Sequence, residues 1–369
     1  MKTAGSHAWW PIHVIAALLG VQPAQASLPG DACIDDIEAL TGFLQANDAG
    51  AQQPVAPIEQ ALRDAALKTA RGDARSAQDD AQCAAVVRTY LRAWRKGHLS
   101  VQPTKQGDAS ETPSEKPRLP SLELLSPRTA LIVIPSFAPS AREPLAALLG
   151  KERRRLESRP NWIVDVRGND GGSDATYAPL LPWLMSDGWI EVSEKVFVTP
   201  SNLRAEESVC DLFAPGDAEC VRIADATVRR MRSVPAGSWV EHEYEQGWQY
   251  RRSDALERRR PARIAVLMDS RCASTCEQFL LTVKQAFGVK LVGHGRSYGA
   301  LDASNLRPYP LPSGQRTLWY ATTLSNRLPR LPVDGVGIGP DVYLPDAENL
   351  SDRSVDVKRT QRWLERGGW

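Results

Sequence analysis

The sequence predicts an α/β protein with a small helical region near its N-terminal end. From about residue 127 onward, short strand-like apolar runs alternate with helix-like segments, which is typical of an α/β domain. Before that point, apolar residues recur at helical spacing in three segments between residues 27 and 100. The alternating part is about 240 residues long, which is ample for a hydrophobic core.

The first 26 residues are predicted to be a secretory signal peptide. Lys2 supplies positive charge, Trp9 to Val21 is mostly apolar, and Ala24-Gln25-Ala26 fits the small-residue cleavage pattern. The apolar run is too short for a good transmembrane helix, and a retained interfacial anchor is the alternative. We therefore expect a mature chain that begins near Ser27, is periplasmic or secreted, and has no stable membrane insertion.

The charge balance gives no reason to expect nucleic acid as a partner. Lys2 is the only charged residue of the predicted signal peptide, so the mature chain carries 44 basic and 44 acidic residues. Nucleic-acid-binding domains usually show a basic excess on one face. The short arginine runs at 153–155 and 258–260 are interleaved with glutamates, which favours a solvated surface.

All six cysteines lie in the mature part, and an even count in an exported protein suggests disulfides. Sequence alone leaves the connectivity open. A zinc site is a poor alternative because the paired-knuckle spacings are absent and the histidines are scattered, and no metal or organic cofactor is expected. Neighbour pairing is the simplest arrangement: Cys33–Cys83, Cys210–Cys220 and Cys272–Cys276.

Residues 27–100 are expected to form an N-terminal helical domain, and residues 101–126 a linker. Gln, Pro, Thr, Ser, Lys and Glu dominate the linker without periodicity. The helices are indicated by Ile34, Ile37, Leu40 and Leu44, by Ile58, Leu62 and Leu67, and by the segment from about Asp79 to Lys96.

Within residues 127–369, strands and helices alternate, except in residues 200–260, which have few clear periods and are a possible cap insertion. The predicted strands are Ala130–Ile134, Trp162–Val166, Lys195–Thr199, Ile264–Met268, Val289–Val292 and Thr317–Thr322. The predicted helices are Pro144–Leu156, Asp174–Met185 and Glu277–Phe287.

Two turns carry candidate chemistry. Ser274 follows a strand and precedes a helix, where unpaired N–H groups can bind a developing oxyanion. An ordinary N-cap serine is the alternative. Gly171 and Gly172 follow another strand, and glycine lets an N–H group face a ligand without a side chain in the way. A tight structural turn is the alternative for this pair.

Taken together, these motifs resemble the C-terminal processing (tail-specific) serine peptidase family. The segment Asp-Val-Arg-x-Asn-x-Gly-Gly at 165–172 and the segment Ala-Ser-x-x-Glu at 273–277 carry the resemblance. It covers about residues 127–346 and implies a crotonase-like (ClpP/crotonase-type) serine peptidase domain with Ser274 as the nucleophile. Three more segments fit in consistent order: 130–137 as the opening strand, 292–300, and the Gly-Ile-x-Pro-Asp ending at 337–341.

The general base departs from the commonest family pattern. Many members place a lysine just after the glycine that follows Tyr298, but Ala300 stands there, so we do not expect a Ser–Lys dyad. The chain is more similar to the tricorn-type branch, which uses serine, histidine and a carboxylate. His98 matches the histidine of that branch and Asp334 its carboxylate. Alternatively, His98 is favoured by a helix C-terminus and Asp334 is a turn residue.

The resemblance implies that His98 takes the Ser274 proton while Asp334 orients and stabilises the imidazolium. The N–H groups of Thr275 and of Gly171 or Gly172 would form the oxyanion hole. His294 is the rival base, because it replaces a glutamate common in the family.

The resemblance implies a peptide or protein substrate. A PDZ module is not expected, because the gap between His98 and Ala130 is too small for one. The chief alternative function is non-catalytic binding of a peptide or apolar ligand on the same fold. Hydrolysis of small esters is a third possibility.

Overall fold

In the computed structural model of the protein, the residues described are 29–104, 119–185, 188–243, 245–253, 261–345 and 352–368. The predicted signal peptide, the middle of the predicted linker and part of the possible cap insertion lie outside these ranges. Within them, no helix combines the length and the apolar character that crossing a membrane requires.

The order of elements confirms the α/β class. The α-helices are α1 (Pro29–Asn47), α2 (Pro57–Arg75), α3 (Asp80–Arg92), α4 (Arg142–Lys151), α5 (Arg153–Glu157), α6 (Asp174–Tyr177), α7 (Leu181–Leu184), α8 (Pro200–Glu207), α9 (Val209–Phe213), α10 (Ala218–Arg232), α11 (Thr275–Val283) and α12 (Arg353–Glu365). The strands are β1 (Ser100–Pro103), β2 (Ser121–Leu124), β3 (Thr129–Val133), β4 (Asn161–Asp165), β5 (Gly188–Val192), β6 (Glu194–Phe197), β7 (Trp239–Glu241), β8 (Trp248–Arg252), β9 (Arg263–Leu267), β10 (Val289–Gly293), β11 (Ala303–Pro310), β12 (Arg316–Ser325) and β13 (Val342–Tyr343).

The central sheet has the strand order β13-β10-β9-β4-β3-β2, and only the β2–β3 pair is antiparallel. All five residues of β4 are buried, as expected for a parallel strand covered on both faces. Because β4 and β9 are adjacent and parallel, their carboxyl ends lie at the same edge of the sheet. The Gly171–Gly172 turn and Ser274 follow these two strands, so the fold brings both turns together.

The N-terminal helices pack against a second sheet with the order β1-β12-β6-β7, in which β11 also pairs with β12. Ile37 and Leu40 of α1 share one apolar core with Leu318 and Tyr320 of β12. Buried apolar residues of α3, such as Val87 and Tyr90, join the same core. In α2, by contrast, Ile58 and Leu62 are exposed, and only Ala70 and Ala74 are buried. The helical region therefore shares an apolar core with β12 of the second sheet.

The predicted linker also differs from its expected structure at both ends. Strand β1 pairs with β12, and strand β2 pairs with β3. Both strands are four residues long, and polar positions are interleaved with the few apolar ones. Neither strand is apolar enough to stand out from a polar segment by composition.

The predicted helix Asp174–Met185 is interrupted. It consists of α6, a 3-10 turn over Ala178–Leu180, and α7. Pro179 and Pro182 lack backbone N–H groups and disfavour a helical residue before them, so a continuous α-helix cannot form here.

The region predicted as a cap insertion is mostly helical where it is described, with α8, α9 and α10 followed by β7 and β8. A disulfide joins Cys210 of α9 to Cys220 of α10, with a Cα–Cα distance of 5.8 Å. Cys33–Cys83 and Cys272–Cys276 are the other two disulfides, so the neighbour pairing expected from the sequence is found.

Candidate active site

Ser274 has an unusual backbone conformation, with φ 56° and ψ −126°. A non-glycine residue in this region costs about 1–3 kcal/mol, and it persists only where its surroundings enforce it. Such residues cluster at functional sites. A serine at a sharp turn between a strand and a helix has its hydroxyl group exposed, where a substrate can reach it.

The buried carboxylate of Glu277 holds the Ser274 turn against the segment 297–300. It accepts hydrogen bonds from the Ser297 hydroxyl (2.5 Å) and from the N–H groups of Gly299 (2.7 Å), Ala300 (2.8 Å) and Ser274 (3.3 Å). Burial raises the pKa of Glu277, and these hydrogen bonds oppose that effect. The N–H of Ser274 also donates to the Ala300 carbonyl at 2.9 Å.

A disulfide encloses the same turn. Cys272 and Cys276 each lie two residues from Ser274, both are fully buried, and their Cα atoms are 5.3 Å apart. The Cys272 carbonyl accepts a hydrogen bond of 2.8 Å from the N–H of Tyr298. The turn is therefore fixed covalently and by hydrogen bonds to a neighbouring segment.

The glycine turn supplies one of the two candidate oxyanion donors. The N–H of Gly171 donates to Asn169 Oδ1 at 3.0 Å, so Gly171 is not available as a donor, contrary to the expectation that included it. Within the described ranges, the N–H groups of Gly172 and Thr275 have no acceptor. The Thr275 hydroxyl donates to the Gly172 carbonyl at 3.0 Å, which links the two donors.

His98 lines the same cavity as Ser274. Its Nδ1 lies 2.6 Å from the carbonyl oxygen of Ala303. Because a carbonyl only accepts, Nδ1 carries the proton, and Nε2 is left as the basic nitrogen. Desolvation lowers the pKa of His98, against the effects of the Ala303 hydrogen bond and the Asp334 charge. The imidazole is therefore neutral near pH 7.

Asp334 is placed differently from the expectation that it approaches a ring nitrogen of His98. The Ala303 carbonyl occupies Nδ1, and Asp334 accepts from the N–H groups of Leu301 (2.6 Å), Asp302 (2.7 Å) and Ala303 (3.1 Å). The Asp334 carboxylate thus fixes the backbone of residues 301–303, whose Ala303 carbonyl contacts the His98 ring. Its charge acts on the imidazole through space and raises the pKa of His98.

His294, the rival base, lies away from this cavity. Its Nε2 is 3.1 Å from Asp356 Oδ2, and Arg167 bridges Asp356 (2.9 Å) and Asp165 (2.6 Å). His294 is not among the residues that line the cavity containing Ser274.

The cavity has a volume of about 700 Å³, and α9 and α10 form one of its walls. Sequence reasoning missed its polar lining residues, because no motif surrounds them: Asp174, Glu194, Glu206, His242 and Arg307. No group of His, Cys, Asp and Glu side chains that could hold a metal ion occurs in the described part of the chain.

Charge interactions tune several groups in this lining. Partial desolvation by the surrounding protein, and then the neighbouring Glu194, raises the pKa of Asp174, whose side chain is open to the cavity. Against the effect of burial, His242 and Arg307 lower the pKa of Glu206 to about 2. Arg307 lies 2.8 Å from Glu206, and His242 lies 3.5 Å from it.

Comparison with known proteins points to one family. The sequence model described as Peptidase family S41 matches residues 128–344. Mature CPAF in complex with lactacystin is 13% identical, with 92% of this chain and 100% of that chain covered and a TM-score of 0.61. A putative peptidase from Parabacteroides merdae is 11% identical, with 89% and 96% covered and a TM-score of 0.52. At such identities the likeness shows the fold alone. No curated protein matches the chain significantly.

Proposed function

Because the chain belongs to peptidase family S41 and is a serine-type peptidase, we propose that it is an exported enzyme that cleaves peptide bonds with Ser274 as nucleophile and His98 as general base. The family model covers more than half of the chain, and its matched range includes Ser274 and Asp334. His98 precedes that range and is contributed by the segment after α3.

The observation that carries the proposal is the hydrogen bond between His98 Nδ1 and the Ala303 carbonyl. It leaves Nε2 unprotonated in a cavity that Ser274 also lines. His98 Nε2 takes the hydroxyl proton as Ser274 Oγ attacks the substrate carbonyl, and the imidazolium then donates that proton to the leaving amine. The Asp334 charge stabilises the imidazolium.

The N–H groups of Gly172 and Thr275 stabilise the oxyanion that develops during attack. Both lack an acceptor within the described ranges, and the Thr275 N–H lies at the start of α11, where the helix dipole favours negative charge. Loss of one such donor raises the barrier by about 3 kcal/mol.

Export is supported by the predicted signal peptide together with the three disulfides. Disulfides persist in the periplasm and outside the cell, where thiol reductants are scarce. The substrate is a peptide or a protein segment that can enter the cavity between the nucleophile and the α9–α10 wall.

The test uses a fluorophosphonate probe and a peptide library on the wild type, Ser274→Ala and His98→Ala. We expect the wild type to be labelled and both variants to lose hydrolysis, because one lacks the nucleophile and the other the base. Ser76→Ala, which alters an exposed serine after α2, is the control and keeps full activity. Hydrolysis that persists unchanged in Ser274→Ala would refute the proposed nucleophile.

A further inference from the structure

His98 has a left-handed backbone, with φ 53°, in a short loop that follows α3. Its neighbour Gly97 lies so close to Ala300 that a Cβ at Gly97 would be 2.2 Å from the Ala300 Cβ. The loop therefore lies flat against the segment 298–300. Left-handed φ values are unfavourable for side chains other than glycine, so surrounding contacts must hold His98 in place.

The guanidinium group of Arg95 supplies those contacts. Its Nε donates to the Gly97 carbonyl at 2.9 Å, and its Nη2 donates to the His98 carbonyl at 2.6 Å. Nη1 and Nη2 also form a bidentate pair with Asp48, in which the Nη2–Oδ2 distance is 2.8 Å. One planar group thus fixes the carbonyls on both sides of the His98 backbone.

Asp48 is buried, with its side chain 1% exposed, and it anchors Arg95 to the rest of the molecule. Its carboxylate accepts hydrogen bonds from the N–H groups of Ala51 (2.8 Å) and Ala321 (3.1 Å). It therefore connects the chain just after α1 to β12 and to the His98 loop.

The same loop is tied to the segment that holds the nucleophile. Lys96 Nζ donates to the Tyr298 carbonyl at 2.8 Å, and the Tyr298 hydroxyl donates to the Lys96 carbonyl at 3.2 Å. Two residues further on, the Ala300 carbonyl accepts from the N–H of Ser274. A shift of the loop would consequently change the position of His98 relative to Ser274.

We propose that Arg95, oriented by Asp48, is a positioning residue that holds His98 in register with Ser274 during peptide hydrolysis. The proposal rests on the proposed function, in which His98 is the general base. Lysine cannot replace Arg95 in this role, because an ammonium group lacks the planar fork that meets two carbonyls and a carboxylate together.

Arg95 also has an electrostatic effect on His98. The charged groups that act on the imidazole are Asp334, which raises its pKa, and Arg95, which lowers it; desolvation lowers it further. Removal of the Arg95 charge therefore raises the pKa of His98, and the acid limb of activity moves to higher pH. This shift reports the electrostatic coupling between Arg95 and His98, whereas a fall in kcat at nearly unchanged KM reports the loss of positioning.

The experiment compares Arg95→Lys and Arg95→Gln with the wild type by kcat, KM and the pH profile of kcat/KM. We expect kcat to fall roughly 10- to 100-fold in both, with KM changed less than about threefold, because a base displaced by a fraction of an ångström loses alignment. The acid limb should move to higher pH in Arg95→Gln and stay in place in Arg95→Lys.

Arg316→Gln is the matched control. Arg316 forms a buried pair with Asp36 of α1 at 3.2 Å, and both side chains are at most 1% exposed. It also links the helical region to β12, but it does not contact the His98 loop. Its loss should lower the thermal stability and leave kcat and the pH profile of the folded enzyme unchanged.

If the Arg95 variants do not fold, Asp48→Asn serves in their place. It keeps the shape of Asp48 but weakens the pairing with Arg95, so we expect a lower kcat at unchanged KM. A kcat within twofold of the wild type in the folded variants overturns the inference, whether or not the acid limb moves in Arg95→Gln. A wild type that neither labels at Ser274 nor hydrolyses peptides overturns the proposed function instead.

Discussion

His98, Ser274 and Asn305 have positive φ angles of 53°, 56° and 55°, and all three line the same cavity. No other non-glycine residue in the described ranges has a positive φ. Backbone strain of this kind is tolerated only where several contacts enforce it, and here the contacts come from Arg95, Glu277 and the neighbouring strand β12. At the scale of residues, the positive-φ positions other than glycine in the described ranges all lie around one cavity.

Gly172 gives a prediction at this scale. Its φ is 144°, and a Cβ there would lie 2.1 Å from the Phe137 carbonyl oxygen. Gly172→Ala must displace the turn and its N–H group, so we expect kcat to fall roughly 10²- to 10³-fold, as for the loss of an oxyanion donor. Steady-state kinetics with a peptide substrate measures the effect.

Gly72→Ala is the matched control. Gly72 lies within α2, and a Cβ there meets nothing within 4 Å. Alanine is the better helix former, so the free energy of unfolding should rise by about 0.5–1 kcal/mol with no change in kcat. Full activity in Gly172→Ala would contradict the role of its N–H group.

At the scale of elements, the segments 301–303 and 333–334 are joined by reciprocal hydrogen bonds, in which a carboxylate of each segment accepts from backbone N–H groups of the other. Asp334 accepts from three N–H groups of the segment 301–303, and Asp302 accepts from the N–H groups of Val333 (2.6 Å) and Asp334 (2.8 Å). The segment 301–303 leads into β11 and carries the Ala303 carbonyl that fixes the tautomer of His98. The two carboxylates therefore set the position of His98 by fixing the backbone that its ring contacts.

Asp334→Asn tests this arrangement. Its amide keeps one accepting oxygen, so the segment 301–303 loosens and kcat should fall roughly 10- to 100-fold through misalignment of His98. The Asp334 charge raises the pKa of His98. Its removal therefore lowers that pKa, and the acid limb of kcat/KM should move to lower pH, opposite to Arg95→Gln. A profile that moves to higher pH would contradict the assigned electrostatic role.

At the scale of the whole molecule, three disulfides stabilise separate parts of the chain: α1 with α3, α9 with α10, and the Ser274 turn. The helical region and β12 share one core. The cavity that contains His98 and Ser274 is walled by the edge of the central sheet, by β11 and by the α9–α10 region.

We expect all six cysteines to be oxidised, because all six are paired and the proposed export would take the chain to an oxidising compartment. Titration of free thiols in the unfolded, unreduced protein purified from its native compartment should find almost none. Six titratable thiols would overturn both the pairing and the proposed export.

Local signals in the chain were enough for much of this description. Strands and helices alternate after residue 127, and the motif around Ser274 lies on a strand–turn–helix unit whose pattern is short-range. Neighbour pairing of the cysteines was the simplest arrangement, although sequence alone left the connectivity open. The strands, helices and turns follow from hydrophobic periodicity and from the backbone conformations that glycine and serine adopt. Both signals involve only a few neighbouring residues.

Other features depended on the three-dimensional structure, because they join residues far apart in sequence. Arg95 pairs with Asp48, 47 positions away, and the His98 ring meets a carbonyl 205 positions away. The choice of Gly172 over Gly171 as a donor depends on which N–H the Asn169 side chain occupies. Likewise, Asp334 accepts from backbone N–H groups and not from the imidazole, because the Ala303 carbonyl already occupies His98 Nδ1. Local periodicity carries no information about these partners, since tertiary packing decides which donor meets which acceptor.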